Sequence, residues 1–161
     1  MNKRIAIIGG TFDPITIGHE SFVRRALELF DLVYVSICCN AEKNCMFSLQ
    51  QRLEMLSVAF EGEDRIVPII HNGLIADLAK EKSAVIVKGL RYSSDFDYEH
   101  LQAESNYLIN GTETIFLSSH SNETFITSSL IRELLKANKP FESFVSNGVA
   151  EKIKLFVQNK E

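Results

Sequence analysis

Five short apolar, β-branched runs recur along the 161 residues, at Arg4–Ile8, Leu32–Cys39, Arg65–Ile70, Ala84–Val87 and Thr114–Leu117. A stretch with helical spacing follows each of them. Phe22, Ala26 and Phe30 fall at i, i+4 and i+8, with Val23 and Leu27 beside them. Leu49, Leu53, Leu56 and Phe60 make the next stripe, and Ser48 with Gln51 three residues later predicts a capping box at its start. Leu74, Leu78 and Ala79 predict a short third helix, Phe96 to Ile109 a fourth, and Leu130, Leu134 and Leu135 a fifth. A last pattern, Val149, Ile153 and Phe156, follows the break at Pro140 and Gly148. Runs of apolar residues alternating with amphipathic helices predict a parallel sheet wound on both faces, because parallel strands need crossover helices. The expected architecture is α/β, a doubly wound five-stranded parallel sheet in one domain over residues 1–161.

Composition narrows what such a domain does. Hydrophobic residues make up 45% and charged residues 24%, a globular balance, and the net charge of −4 argues against broad affinity for nucleic acid. The opening MNKRIAIIGG carries an apolar run too short for a signal peptide or a membrane span, so a cytoplasmic location is expected. Cys38, Cys39 and Cys45 are odd in number. Adjacent positions on a strand point to opposite faces, so free thiols are expected there rather than a disulfide or a metal site.

Ligands of open α/β sheets bind beyond the carboxyl ends of the strands, where strand order switches. The loops to read are therefore 9–19, 40–47, 71–74, 88–95 and 118–129. The first of them, Gly9-Gly10-Thr11-Phe12-Asp13-Pro14-Ile15-Thr16-Ile17-Gly18-His19, joins a strand to a helix start. Glycines allow close backbone approach, and free N–H groups at a helix start favour an anion. No Gly-Lys-Ser/Thr follows, so it is not a Walker loop, and the three-glycine dinucleotide spacing is absent. A lone Gly-His is satisfied by a turn with a helix-capping histidine. The longer pattern G-x-F-D-P-x-x-x-G-H resembles the signature of the adenylyl- and cytidylyltransferases, and T-x-G-H with Thr16 resembles the phosphopantetheine adenylyltransferase branch in particular.

Three further segments resemble the same family, in order. Lys43 precedes the Met46–Phe47 pair, as a family lysine precedes its hydrophobic-aromatic pair. Gly89, Leu90 and Arg91, then Asp95, Phe96, Tyr98 and Glu99, match R-G-L/I-R followed by D-F/Y-E-Y-E. Residues 125–132, FITSSLIR, resemble I-S-S-S-x-x-[RK], which opens a helix beside the ATP phosphates. Three positions depart from the family: Lys88 stands for an arginine, Glu123 for an aromatic residue, and Thr127 for the first serine. Lysine keeps the charge at the first but loses the planar two-point grip on a phosphate.

The resemblance implies transfer of the adenylyl group of ATP to 4′-phosphopantetheine, giving dephospho-coenzyme A and pyrophosphate in coenzyme A biosynthesis. A phosphate nucleophile is already anionic, so catalysis reduces to alignment and charge stabilisation. Carried over by position, His19 and Lys43 are the catalytic pair. The ATP set is Thr11, Phe12, His19, Gly89, Leu90, Arg91, Glu99, Glu123, Thr124, Phe125, Ile126, Thr127, Ser128 and Ser129. The acceptor set is Thr11, Lys43, Ile75 and Lys88, and Asp95 is expected to cap a helix. Mg²⁺ is expected on the substrate phosphates, because it keeps waters and uses few carboxylates. The family also implies a homohexamer with no nucleic-acid or membrane partner. Three other readings remain at this point: another small-molecule adenylyl- or cytidylyltransferase, a catalytically weak nucleotide-binding regulator, and a flavodoxin-like carrier. An acceptor panel, turnover against binding, and flavin absorbance separate them.

Overall fold

The first strand alternates its side chains between two cores. In the computed structural model, which describes residues 3–38, 44–120 and 124–158, β1 (Ile5–Gly10) buries Ala6 and Ile8 in one cluster and Ile7 in another. That period of two on a strand covered on both faces is what an interior parallel strand requires. The sheet is parallel throughout, in the order β3-β2-β1-β4-β5, with β2 at Leu32–Cys38, β3 at Ile66–His71, β4 at Val85–Leu90 and β5 at Thr114–Ser118. Pro68 lies on β3, an edge strand, where a missing N–H costs little.

The larger core lies between one sheet face and α1 (Ile17–Leu29), α2 (Leu49–Ala59), α5 (Ser128–Lys136) and α6 (Asn147–Gln158). Met55, Leu56, Ile131 and Ile153 are fully buried in it. On the other face, Leu78 and Ala79 of α3 (Ile75–Lys82) cover Ile7 and Ile86. The fourth helix, α4 (Ser93–Asn110), packs on α3, β4 and β5 yet buries none of its 18 residues. A short 3-10 turn at Glu142–Phe144, which no periodic pattern announces, precedes α6.

The capping box expected at α2 is formed. Gln51 N–H donates to Ser48 Oγ at 3.2 Å, and Ser48 N–H donates to Gln51 Oε1 at 3.0 Å. Asp95 caps α4 by accepting from the N–H groups of Arg91 and Tyr92 at 3.0 and 3.2 Å. The helix thus starts at Ser93, three residues before the expected Phe96, with Tyr92 at the N-cap and Asp95 capping from within the first turn.

From β1 the chain steps outward to β2 and β3, then returns to place β4 on the opposite side of β1. The topological switch thus falls between β1 and β4. Their carboxyl ends splay the following loops apart and open a crevice there.

Candidate active site

The crevice is a cavity of about 470 Å³ over the ends of β1 and β4, walled by the amino-terminal ends of α1 and α5. Two helix starts facing one space present unpaired N–H groups and positive dipole ends, a setting for phosphate.

The first loop is built by local rules. At Gly9 the neighbours close in on the backbone: a Cβ there would sit 2.3 Å from Ile75 Cδ1 and 3.0 Å from Cys38 Sγ, so any side chain would have to displace the Ile75 end. At Gly10 a Cβ would meet the Phe12 ring at 2.9 Å, so glycine lets that ring fold back over the strand end. Phe12 has φ 47°, left-handed backbone that a non-glycine residue keeps only where its surroundings enforce it. Its ring meets His19 edge-on, with centroids 5.2 Å apart.

His19 occupies the third position of α1, where a capping box ordinarily carries Glu or Gln. Fully buried Thr16 accepts from the His19 N–H at 3.3 Å, and the Thr16 N–H donates to His19 Nδ1 at 3.1 Å. Because Nδ1 accepts from a backbone N–H, a neutral ring carries its proton on Nε2. Burial, and secondarily the positive charge of Arg91, pushes the imidazole down to about 4. At neutral pH the ring is an uncharged donor on the cavity wall.

Asp13, 2% exposed, joins the first loop to the chain that enters α2. Its two carboxylate oxygens accept from the N–H groups of Met46 and Phe47 at 2.8 and 2.9 Å. Buried Arg52 closes the clamp by donating to the carbonyls of Phe47 at 3.1 Å and Thr11 at 2.8 Å. The amino-terminal end of α5 docks on the same loop. Ser128 Oγ donates to the Pro14 carbonyl at 2.7 Å, and Arg132 donates to the Asp13 carbonyl at 2.7 Å. Thr127 caps α5 through the Leu130 N–H, and Ser129 accepts from Arg132. All three hydroxyls therefore serve the protein's own framework. The O–H groups of Thr127 and Ser129, whose oxygens accept in these bonds, and the N–H groups at the start of α5 are the donors left there for an anion.

On the opposite wall, Lys88 Nζ donates to Glu99 Oε2 at 2.5 Å and to Gln102 Oε1 at 2.7 Å. Arg91 stands at the rim, half exposed, paired with Asp95 at 3.6 Å. Arg25 lines the cavity while donating to the Ser118 carbonyl at 2.7 Å.

Of the residues the sequence singled out, Thr11, Phe12, His19, Lys88, Gly89, Arg91, Glu99, Thr124, Ile126, Thr127, Ser128 and Ser129 converge on this cavity. Leu90 and Phe125 are not on its wall, and the Phe125 side chain is turned to solvent at 76% exposure. Ile75 lies behind Gly9, against the strand ends, rather than on the wall. Lys43 and Glu123 lie outside the described residues, as does Cys39. Sequence reading passed over Phe22, Arg25, Ser119 and His120, which also line the cavity. Gly18, Phe22 and Arg25 do fall at i, i+4 and i+7, one face of α1, which is the signal that could have found Arg25.

Residues 7–134 match the family model described as cytidylyltransferase-like. Among curated proteins, the phosphopantetheine adenylyltransferase of Flavobacterium johnsoniae is 39% identical over 150 residues, covering 92% of this chain and 99% of the relative. That of Bacteroides fragilis is 40% identical over 147 residues, covering 91% and 98%. That of an Acidovorax species is 40% identical over 151 residues, covering 92% of each.

Proposed function

The chain belongs to the cytidylyltransferase-like family, and within it to the phosphopantetheine adenylyltransferases; on that premise we propose that it transfers the adenylyl group of ATP to 4′-phosphopantetheine. A phosphate oxygen of the acceptor attacks the α-phosphorus, the bond from that phosphorus to the bridging oxygen breaks, and pyrophosphate leaves with dephospho-coenzyme A as the other product. The carrying observation is an uncharged His19 fixed by Thr16 on the wall of a cavity bounded by two helix starts. No general base is required of it. Its task is to donate to an oxygen on the α-phosphate as negative charge builds there, an interaction that strengthens in the transition state.

The N–H groups of Thr11 and Phe12 and those at the start of α5 would hold the triphosphate, with Arg91 at the rim. Ser128 would act by holding that helix start in place, while the Thr127 and Ser129 hydroxyls, which accept in their own bonds, would keep an O–H to donate to the phosphates. Lys88 would hold the acceptor phosphate together with the Thr11 hydroxyl, and Lys43 would bridge the reacting phosphates.

Mg²⁺, which the family implies, would accompany ATP and spread the charge of its phosphates. The cavity wall offers Glu99 as its one carboxylate among the described residues, and that group is paired with Lys88. Such a donor set suits an ion held by the triphosphate and its own waters.

A homohexamer in the cytoplasm is the assembly and location proposed. Leu101 and Leu108, seven residues apart on one side of α4, are 66% and 82% exposed, an apolar stripe that the described residues leave uncovered. No helix among the described residues is long and apolar enough to cross a membrane.

The test is pyrophosphate release from ATP across an acceptor panel. 4′-Phosphopantetheine should turn over and nicotinamide mononucleotide should not. The reverse result would overturn the assignment.

A further inference from the structure

Lys88 is held from two sides by one face of α4. Glu99 and Gln102 are three residues apart, and Tyr98 and Gln102 four, so all three side chains project from the same helical face. The Gln102 amide donates through Nε2 to Tyr98 Oη at 2.8 Å and accepts Lys88 Nζ on Oε1 at 2.7 Å. The orientation is forced chemically, because an ammonium has no lone pair and only the amide oxygen can face it. Lys88 Nζ thus spends one N–H on Glu99 and one on Gln102. Among the described residues nothing takes the third, which is left for a ligand. The Lys88 and Glu99 side chains are 19% and 24% exposed, so water competes little for these contacts.

A lysine needs such fixing in a way an arginine does not. A guanidinium presents several donors in a rigid plane, whereas an ammonium swings on a four-carbon stem. We propose that Gln102, oriented by Tyr98, is a positioning residue that holds the Lys88 ammonium at the cavity wall to receive the acceptor phosphate. Glu99 alone would fix one direction from the ammonium, and Gln102 supplies the second. Two fixed contacts define where the third N–H points. This rests on the proposed reaction for its consequence, acceptor binding, and on geometry alone for its first part.

Two measurements on Gln102→Leu test it. Steady-state kinetics should show the KM for 4′-phosphopantetheine raised about tenfold, the loss expected for a hydrogen bond to a charged group, with kcat and the KM for ATP changed less than twofold. In a Lys88→Arg background the same substitution should have little effect, because the guanidinium brings its own geometry. A merely structural role for Gln102 would lower the melting temperature and move all kinetic constants together. That outcome overturns the proposal, and so does an unchanged acceptor KM. The second measurement needs no turnover: acetylation of Lys88 in the ligand-free protein by a dilute N-hydroxysuccinimide ester, followed by mass spectrometry. Labelling of Lys88 should rise in Gln102→Leu, and to a lesser degree in Tyr98→Phe, relative to Lys80 as an internal reference. Equal labelling in wild type and Gln102→Leu refutes the positioning role. Failure of the wild type to use phosphopantetheine, with Lys88 labelling still raised by Gln102→Leu, would instead refute the reaction while sustaining the positioning role.

Discussion

The Nδ1 atom of His19 takes the backbone N–H of Thr16 at 3.1 Å, while Thr16 Oγ1 takes the backbone N–H of His19 at 3.3 Å. One reciprocal pair thus starts a helix and sets the tautomer of a site histidine. Capping and chemistry are two uses of the same ring.

His19→Ala and His19→Gln separate those uses. Glutamine restores the reciprocal cap, since its side-chain oxygen accepts the Thr16 N–H as in an ordinary capping box. It supplies no ring N–H at the same place. Alanine should lower both stability, by about 1 kcal/mol, and turnover, by about 10²–10³. Glutamine should recover the melting temperature but not the turnover. Recovery of both would mean that His19 is a cap and nothing more.

The depressed His19 pKa carries a signed stability effect. The unfolded chain takes up a proton near 6.5, whereas the folded ring resists it until about 4. Folding therefore gains from this group above pH 6.5 and loses that contribution progressively as pH falls from 6.5 to 4. The loss should be on the order of 2 kcal/mol, below the full value of the shift because part of the ring meets the open cavity. Chemical denaturation at pH 7, 5.5 and 4 should show wild type falling more steeply than His19→Gln. Parallel curves would mean that the ring is not held neutral.

The two lysines should fail in different constants. Lys88→Ala should raise the acceptor KM by about tenfold or more with less effect on kcat, because its contact is present before and during reaction. Lys88→Arg should be tolerated. Lys43→Ala should act mainly on kcat, since charge moves toward its assigned position as the bond breaks. Varying each substrate in turn on the three variants decides this. An intact acceptor KM in Lys88→Ala would move the acceptor phosphate elsewhere.

Asp13→Asn tests the clamp between the first loop and the start of α2. Both carboxylate oxygens accept backbone N–H groups, and an amide would point its NH₂ at one of them. One amide N–H would then face an NH₂ donor in place of a carboxylate oxygen, costing about 1–3 kcal/mol in urea denaturation. A change below about 0.5 kcal/mol would show that the clamp is not needed for stability.

Leu101→Glu with Leu108→Glu tests the exposed face of α4. Neither side chain is buried within the chain, so the fold should survive while the assembly dissociates to smaller species. Sedimentation of wild type and variant measures it. An unchanged sedimentation coefficient would remove α4 from the interface, and a monomeric wild type would remove the oligomer.

The sequence by itself determined what depends on near neighbours. A continuous apolar run located β1, because an interior parallel strand is buried on both faces, and a spacing of about four residues located α2, although its buried face runs through Met55, Leu56 and Ala59 and leaves Leu49 at the surface. Ser48 with Gln51, and Asp95 ahead of its apolar stripe, announced helix starts because a cap needs only residues within one turn. Ordered motifs also marked Thr11, His19 and Arg91 as residues of one site. What joins residues far apart in the chain was decided only by the tertiary structure. Met46 and Phe47 reach Asp13 across 33 and 34 positions, and Arg25 reaches Ser118 across 93. No periodicity encodes such pairings, since they follow from the order β3-β2-β1-β4-β5 and from which loops that order brings together. The same holds for the His19 pKa and for the hold of Gln102 on Lys88. A side chain's charge and direction are set by the groups packed around it, and those groups come together only when the sheet closes.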